Sequence, residues 1–385
     1  MLKLKFLLVV AVVFVGFSTA EAIPAFARKY SMSCKTCHAP FPRLKAAGDD
    51  FAGDGFVFPD KETPRYYTDT GDPELSLIRD LPLALRFEGY GQYRSDTDQE
   101  LDFSTPWILK ILSGGELTKD VAYYFYFFFN ERGEVAGVED AFMMFNKLGG
   151  TELDLYAGQF QASDPLFKRE LRLTFEDYQV YRTTPGNSGI DLTYDRGVML
   201  TYGLSSGTDF TVEILNGNGI GAAANRVYDN DKYKTFMARV SQDVNSAVRI
   251  GAFGYWGKEG RNYPNEVAMF GPDASFAFED KLELNLQYVW REDKNPIFAA
   301  TASASEMNGG FCELLWTPKG DKSIWHGALI YNHVEVDYDP SITQYRTLSA
   351  AVGYMLRTNF RILMEYTNDL ENVEHRGVVG FIAAF

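Results

Sequence analysis

The sequence predicts an all-β fold, a transmembrane antiparallel β-barrel of about 16 strands that follows a short N-terminal segment of different composition. Three observations indicate this fold. Short segments with apolar residues at every second position recur from residue 81 onward, tight turns alternate with longer loops, and the chain ends on an aromatic residue, Phe385. The mean hydropathy of -0.21 suits strands that have one apolar and one wet face.

The first 22 residues have the pattern of a secretory signal peptide. Lys3 and Lys5 precede an apolar stretch from Phe6 to Phe17, and small residues follow it. The stretch is shorter than the roughly 20 residues that a membrane-spanning helix needs. We assign residues 1–22 to the signal peptide, 23–59 to a compact segment, 60–80 to a polar linker and 81–385 to the barrel.

The barrel prediction depends on the alternation of apolar and polar residues along the strands and on the lengths of the loops. The clearest strand has Leu282, Leu284, Leu286, Tyr288 and Trp290 on one face, with Glu283, Asn285, Gln287 and Arg291 on the other. Tight turns are predicted near residues 118–120, 147–150, 205–207, 245–246, 279–281, 320–322 and 357–359, and longer loops over 161–194, 218–232 and 292–307. Short turns on one rim and long loops on the other are typical of outer-membrane barrels.

The C-terminal strand favours a membrane barrel over a soluble sheet, and the net charge excludes one class of partner. Val379, Phe381, Ala383 and Phe385 share one face of the last strand, a pattern similar to the signal that bacterial outer-membrane proteins use for barrel insertion. A soluble β-sandwich is the alternative, but an open sheet of this size would leave its edges exposed. The net charge of -15 argues against a nucleic-acid partner.

The compact segment contains Cys34-Lys35-Thr36-Cys37-His38, the attachment motif of c-type haem. The two thiols are spaced to add to the two vinyl groups of haem, and the adjoining imidazole of His38 then reaches the iron as the proximal ligand. The sequence therefore predicts one covalent haem c, attached through Cys34 and Cys37, with His38 as the iron ligand. No catalytic residue is predicted.

Other interpretations of the motif stay open. A structural zinc site needs four ligands, and the remaining cysteine, Cys312, lies far along the chain on a predicted strand. A redox disulfide would need a thioredoxin-like βαβ pattern, which is absent from the sequence. A chance match with an unused His38 is the remaining alternative.

Residues around the motif are candidates for holding the haem. Basic side chains that could neutralise its propionates are Arg28, Lys29, Arg43 and Lys45, and rings that could pack on it are Phe26, Tyr30, Phe41 and Phe51. Candidates for a second iron ligand are Met32, His326, His333 and His375, and a five-coordinate iron is the alternative.

The joined parts, the haem motif and a barrel that ends in Phe385, resemble the fused cytochrome-porins of metal-cycling bacteria, typified by the outer-membrane iron-oxidising cytochrome. Only the haem motif matches residue by residue. The segments 158–160, 164–167 and 194–197 are also similar to porin sequences. The resemblance implies electron transfer across the outer membrane, with periplasmic electron carriers on one side and an extracellular redox partner or metal ion, such as iron, on the other.

Three function classes follow from these expectations. The first is an electron-transfer protein rather than a conventional enzyme, with its haem segment in the periplasm or in the barrel lumen. The second is a passive porin with a structural haem, whose channel Arg172, Arg196 and Arg239 could line. The third is a haem enzyme such as a peroxidase, which would need acid-base groups near the iron. The loop over 161–194 could fold into the lumen or face outside as a docking surface.

Overall fold

The computed structural model describes residues 25–58, 71–72, 74–75, 78, 81–98, 100–301, 303–338 and 341–385. The proposed signal peptide and most of the proposed linker lie outside these residues. Sixteen strands form one closed barrel in which every strand pairs antiparallel with its neighbours in the chain, and β1 pairs with β16 to close the ring. This topology confirms the predicted fold class.

Within the described residues, two short α-helices precede the barrel, α1 (Ala25–Tyr30) and α2 (Ala46–Gly53). No helix within the described residues is long and apolar enough to cross a membrane. The strands are β1 (Leu83–Arg94), β2 (Leu101–Thr118), β3 (Val121–Glu131), β4 (Gly137–Phe145), β5 (Leu153–Gln161), β6 (Tyr194–Gly203), β7 (Thr208–Leu215), β8 (Thr235–Asn245), β9 (Val248–Glu259), β10 (Asn265–Phe278), β11 (Leu282–Asp293), β12 (Ser305–Trp316), β13 (Trp325–Tyr338), β14 (Ser341–Arg357), β15 (Phe360–Asp369) and β16 (His375–Ala384).

Side chains alternate between the outer surface and the lumen along each strand. On β8, Phe236 and Val240 are exposed on the outside, whereas Arg239 and Ser241 are buried in the lumen. On β11, the predicted apolar face, Leu282 to Trp290, is the outer one, and Asn285, Gln287 and Arg291 are buried in the lumen. An outer surface rich in exposed apolar side chains fits contact with lipid.

All seven predicted tight turns lie at one rim of the barrel, together with the C-terminus, and the longer connections lie at the other rim. The last strand pairs with β1 over nine residues, from Arg86 opposite Ala384 to Arg94 opposite Arg376. Phe385 continues this pairing, because its backbone exchanges hydrogen bonds with Leu85. In outer-membrane barrels the short turns face the periplasm, so we call their rim the periplasmic mouth.

The connection between β5 and β6, residues 162–193, folds into the lumen; we call it the lumen loop. Its Tyr178 ring stacks on Phe311 of β12 with ring centres 4.1 Å apart. On the same side of the barrel, three strands further along the ring, Glu365 of β15 accepts backbone hydrogen bonds from Phe175 at 2.6 Å and Glu176 at 2.8 Å. The loop leaves the wall at β5 and returns to it at β6, so it crosses the lumen to reach β12 and β15.

Apolar packing fills the lumen around this loop. Buried residues of the loop, such as Val180, Ile190 and Leu192, form one cluster with inward-facing residues of the wall, among them Met237 and Val289. A barrel of sixteen strands encloses an aqueous channel when nothing fills it. Here buried side chains of the loop and of the wall occupy this part of the lumen instead.

Ion pairs in the lumen predict where the barrel is sensitive to mutation. Arg239 of β8 donates to Asp273 of β10 through Nε at 3.1 Å and Nη2 at 2.5 Å, and both side chains are buried. We expect Asp273→Ala to lower the free energy of unfolding by roughly 3–5 kcal/mol, because it leaves a buried guanidinium without its acid. Urea unfolding in detergent micelles measures this.

The matched control is Glu279→Ala, which removes the partner of Lys281 in an exposed turn. We expect no measurable change there, because exposed ion pairs contribute little. Equal losses in the two variants would contradict the assignment of Asp273 to a buried pair.

Candidate functional site

Residues 25–58, which we call the N-terminal module, lie in the periplasmic mouth of the barrel. Ion pairs tie the module to the wall on one side, where Arg43 contacts Glu283 of β11 and Lys45 contacts Asp321 in the turn before β13. On the other side, Asn146 after β4 donates to the carbonyl of Gly53 at 2.6 Å. The module is thus held from opposite parts of the rim.

Two further contacts hold the module, one by aromatic packing against β3 and β4 and one by an ion pair with the lumen loop. Tyr30, Phe51 and Phe56 form one buried cluster with Ala122 of β3 and Met144 of β4. Lys168 of the lumen loop pairs with Asp49 of α2 at 2.6 Å. The module therefore rests on both the wall and the loop that fills the lumen above it.

The haem motif begins in a single turn of 3₁₀-helix, Cys34–Thr36, inside the module. Ser33 caps this turn by accepting a hydrogen bond from the backbone N–H of Lys35 at 3.3 Å. The backbone N–H of His38 donates to the carbonyl of Cys34 at 2.9 Å, which places the imidazole directly after the two cysteines on a folded segment. Both thiols are free and partly buried, and burial raises the pKa of each.

His38 is oriented by a hydrogen bond in which Nδ1 donates to the carbonyl of Pro42 at 2.8 Å. A carbonyl oxygen only accepts, so in the neutral imidazole the lone pair is on Nε2. Burial lowers the pKa of His38, although the hydrogen bond to Pro42 raises it, and the net direction favours the neutral ring. A neutral imidazole whose other nitrogen donates to a carbonyl is the usual form of a metal-ligating histidine.

The donor set fits a c-type haem. Cys34 and Cys37 supply two thiols at the required spacing, and His38 presents Nε2 as a ligand. Across the described residues, no group of three or more His, Cys, Asp or Glu is arranged to hold a metal ion, so the ligands of a structural zinc site do not come together. Cys312 lies on β12 as a free thiol, away from the motif in the chain.

The basic residues near the motif have other partners than the sequence suggested. Arg43 and Lys45 pair with carboxylates of the wall, Arg28 donates to the carbonyl of Leu83, and Lys29 lies over the Tyr30 ring. Arg28, Arg43 and Lys45 thus contact residues outside the module and dock it, whereas the contact of Lys29 lies within the module. Of the four candidate rings, Phe41 is beside His38, with ring centres 5.4 Å apart, whereas the other three pack in the cluster with Phe56.

The candidates for a second iron ligand are spread over the molecule. His326 is buried on the lumen side of β13, two residues before Ala328, and His333 lies on the other face of that strand. His375 is at the start of β16, on the opposite rim, where its Nδ1 shares a hydrogen bond with Tyr366. Met32 packs against the aromatic cluster of the module.

Of the arginines expected to line a channel, Arg239 and Arg172 are in the lumen but are engaged in ion pairs with Asp273 and Asp177. Arg196 was wrongly expected there. It lies on the opposite face of β6 from the lumen residue Met199 and donates to the carbonyls of Gly219 and Ile220. An arginine three residues from an inward-facing one on a strand must point outward, which the sequence shows only once the register is known.

The close approach of α2 to the motif gives a testable prediction. A Cβ at Gly48 would lie 2.4 Å from the carbonyl oxygen of Cys37 and 2.9 Å from Leu44 Cδ2. We expect Gly48→Ala to push α2 away from Cys37, at a cost of about 1–3 kcal/mol in the unfolding free energy, and to lower haem incorporation. Haem per chain, measured by pyridine haemochrome, checks this.

Gly53→Ala in the same helix is the matched control, since a Cβ there would meet nothing within 4 Å. Full haem incorporation in Gly48→Ala would contradict the tight contact. An equal loss in both variants would indicate a general effect on α2.

Comparisons with known proteins show similarity in fold but not in sequence. No family model matches the chain, and no curated protein matches it by sequence. Among solved structures, an anion-selective porin from Comamonas acidovorans is 12% identical with a TM-score of 0.59, covering 80% of this chain and 99% of its own. A loop-deletion mutant of OmpT from Vibrio cholerae is 11% identical with a TM-score of 0.58 and the same coverage.

The outer membrane channel DcaP of Acinetobacter baumannii is similar as well, at 12% identity and a TM-score of 0.56, covering 80% of this chain and 97% of its own. Identities this low show the fold alone. The chain has the fold of bacterial outer-membrane porins, which confirms the predicted fold class and agrees with the predicted location in the outer membrane.

Proposed function

We propose that this chain transfers electrons across the outer membrane through one covalently bound haem c. The observation that carries the proposal is the position of the haem motif. Cys34, Cys37 and His38 belong to a module that sits in the periplasmic mouth of a barrel whose lumen is packed with side chains. When bound, the haem supplies a one-electron Fe(II)/Fe(III) couple.

The residues of the chain have distinct parts in this function. Cys34 and Cys37 would hold the cofactor covalently, and His38, whose ring is fixed by its hydrogen bond to Pro42, would bind the iron through Nε2. The lumen loop excludes solvent from the middle of the barrel, so the route between the two sides runs through packed protein rather than water. Periplasmic electron carriers would approach the short-turn rim, and an extracellular redox partner or metal ion such as iron would approach the other.

A passive porin with a structural haem is the second candidate function. The comparisons favour it, because the similar structures are porins and channels. The filled lumen opposes it, because solutes need an open aqueous path. Electron transfer and solute flux are measured separately, so the two functions can be told apart.

The test uses the full chain with haem attached, inserted into liposomes that contain an electron acceptor dye. We expect external reductant to reduce the trapped dye in liposomes with the loaded protein, and not in liposomes with the protein that lacks both motif cysteines. Dye reduction at the same rate in the cysteine variant would overturn the proposal. Rapid swelling of the same liposomes in a sugar solution would favour the passive porin instead.

A further inference from the structure

His326 has no hydrogen-bond partner although it is almost wholly enclosed. It is 2% exposed on the lumen side of β13, and among the described residues neither Nδ1 nor Nε2 has a partner. Buried polar groups are nearly always paired, and an unpaired one costs about 1–3 kcal/mol. The imidazole lies over Gly353 of β14, where a Cβ would come within 2.0 Å of Nε2, so only glycine leaves room for the ring.

Arg361 on β15 is a second buried group that lacks its usual partner. It is 1% exposed, and its Nη1 donates to the carbonyl of Leu173 at 3.2 Å. Its Nε has no partner, and in the part of the chain that the structure describes no carboxylate forms an ion pair with it. A buried guanidinium without an acid is costly, and a carboxylate is its natural counterpart.

These two residues lie on a part of the barrel wall whose apolar cluster includes a residue of the module. Phe41, whose ring contacts that of His38, packs in one cluster with Ala328 and Leu363. Ala328 is two residues after His326, and Leu363 is two residues after Arg361, so each pair shares the lumen face of its strand.

An ion pair gives the same placement. Lys45 also ties the module to Asp321, five residues before His326. The wall that carries His326 is therefore one of the parts of the barrel against which the module is docked.

We propose that the barrel wall completes the haem site, with His326 as the second axial ligand of the iron and Arg361 as a partner of a haem propionate. The inference rests on the proposed haem. Haem c presents an iron that takes an imidazole nitrogen and two carboxylates that take a guanidinium. His326 is a buried imidazole without a hydrogen-bond partner, and Arg361 is a buried guanidinium without an ion pair among the described residues.

The other histidines of the barrel do not offer an inward-facing imidazole on the wall that the module contacts. His333 lies on the outer side of β13, and His375 is at the extracellular rim. His326 thus joins the N-terminal module to β13 through the iron, and the haem site exists in full only in the folded barrel.

Spectroscopy of the full-length, haem-loaded protein tests the iron ligand. We expect a low-spin, six-coordinate ferric spectrum in the wild type, and a high-spin spectrum with new binding of carbon monoxide to the ferrous form in His326→Leu. Added imidazole should restore the low-spin spectrum, His326→Met should stay low-spin with a raised midpoint potential, and the matched control His333→Leu should be unchanged.

A high-spin wild type, or a low-spin spectrum that persists in His326→Leu, would overturn the inference while leaving the covalent haem in place. A wild type that carries no haem after maturation with an intact attachment system would overturn the proposed function itself. Haem content by pyridine haemochrome separates these two failures.

Redox titration tests Arg361. We expect Arg361→Met to lower the midpoint potential, because removing a positive charge beside a propionate stabilises the more positive ferric state. Arg357→Met, at the rim where Arg357 donates to its neighbour's carbonyl, is the control and should leave the potential unchanged. Equal potentials in wild type and Arg361→Met would contradict the propionate contact.

Discussion

Replacing Cys34 and Cys37 by Ala is expected to abolish covalent haem attachment, from one haem per chain to none. The physical reason is that each thioether bond needs its own thiol, and these are the two free thiols next to His38. The measurement is the pyridine haemochrome spectrum of protein purified from outer membranes, together with haem staining of denatured chains. The variant should still form the barrel, since neither thiol bonds to a strand.

Cys312→Ala provides the control, because Cys312 is a free thiol of β12. It should keep one haem per chain. Haem that survives the double substitution, or a wild type without haem, would remove the basis for electron transfer and leave a porin fold with an unexplained cysteine pair.

Removing the lumen loop is expected to turn a closed barrel into an open one. Replacing residues 165–190 by a short Gly-Ser linker takes away Tyr178, Val180 and Ile190, which form the apolar packing inside the lumen. Sixteen strands then enclose water. We expect the swelling rate of liposomes in a sugar solution to rise from background to that of an ordinary porin.

The control shortens another long connection, residues 220–228 between β7 and β8, which lies at the rim. Swelling should stay at background there. If the unmodified protein already swells liposomes at a porin-like rate, the lumen is open to solutes and the passive porin becomes the better function.

The strand pattern and the turns could be predicted because both are local properties. Alternation in β11 and the seven tight turns follow from neighbouring residues, and the structure confirms them. The haem motif is likewise contained in five consecutive residues. Its role in binding haem stays a prediction that the experiments above address.

The contacts that hold the motif in place could not be predicted from the sequence, because they join residues far apart in the chain. Nothing near Arg43 indicates that its partner is Glu283, and nothing near His326 separates it from His333 as an inward-facing residue. Both depend on strand register and on how the module sits in the mouth. The fold of residues 162–193 could not be predicted for the same reason, since the buried wall residues that form a cluster with it lie mainly on the eight strands that follow it, β6 to β13.

The module and the lumen loop come from the first half of the chain, and several of the contacts that hold them come from the second half. The pair Arg43–Glu283 spans 240 positions, and the backbone of Phe175 reaches Glu365 across 190. Contacts between such distant positions form late in folding, because a long stretch of chain must be ordered first. A nascent chain that lacks its last strands can therefore neither close the barrel nor complete the contacts of the N-terminal module and the lumen loop. We expect assembly to be slow and to reach completion only when the C-terminal strand is added.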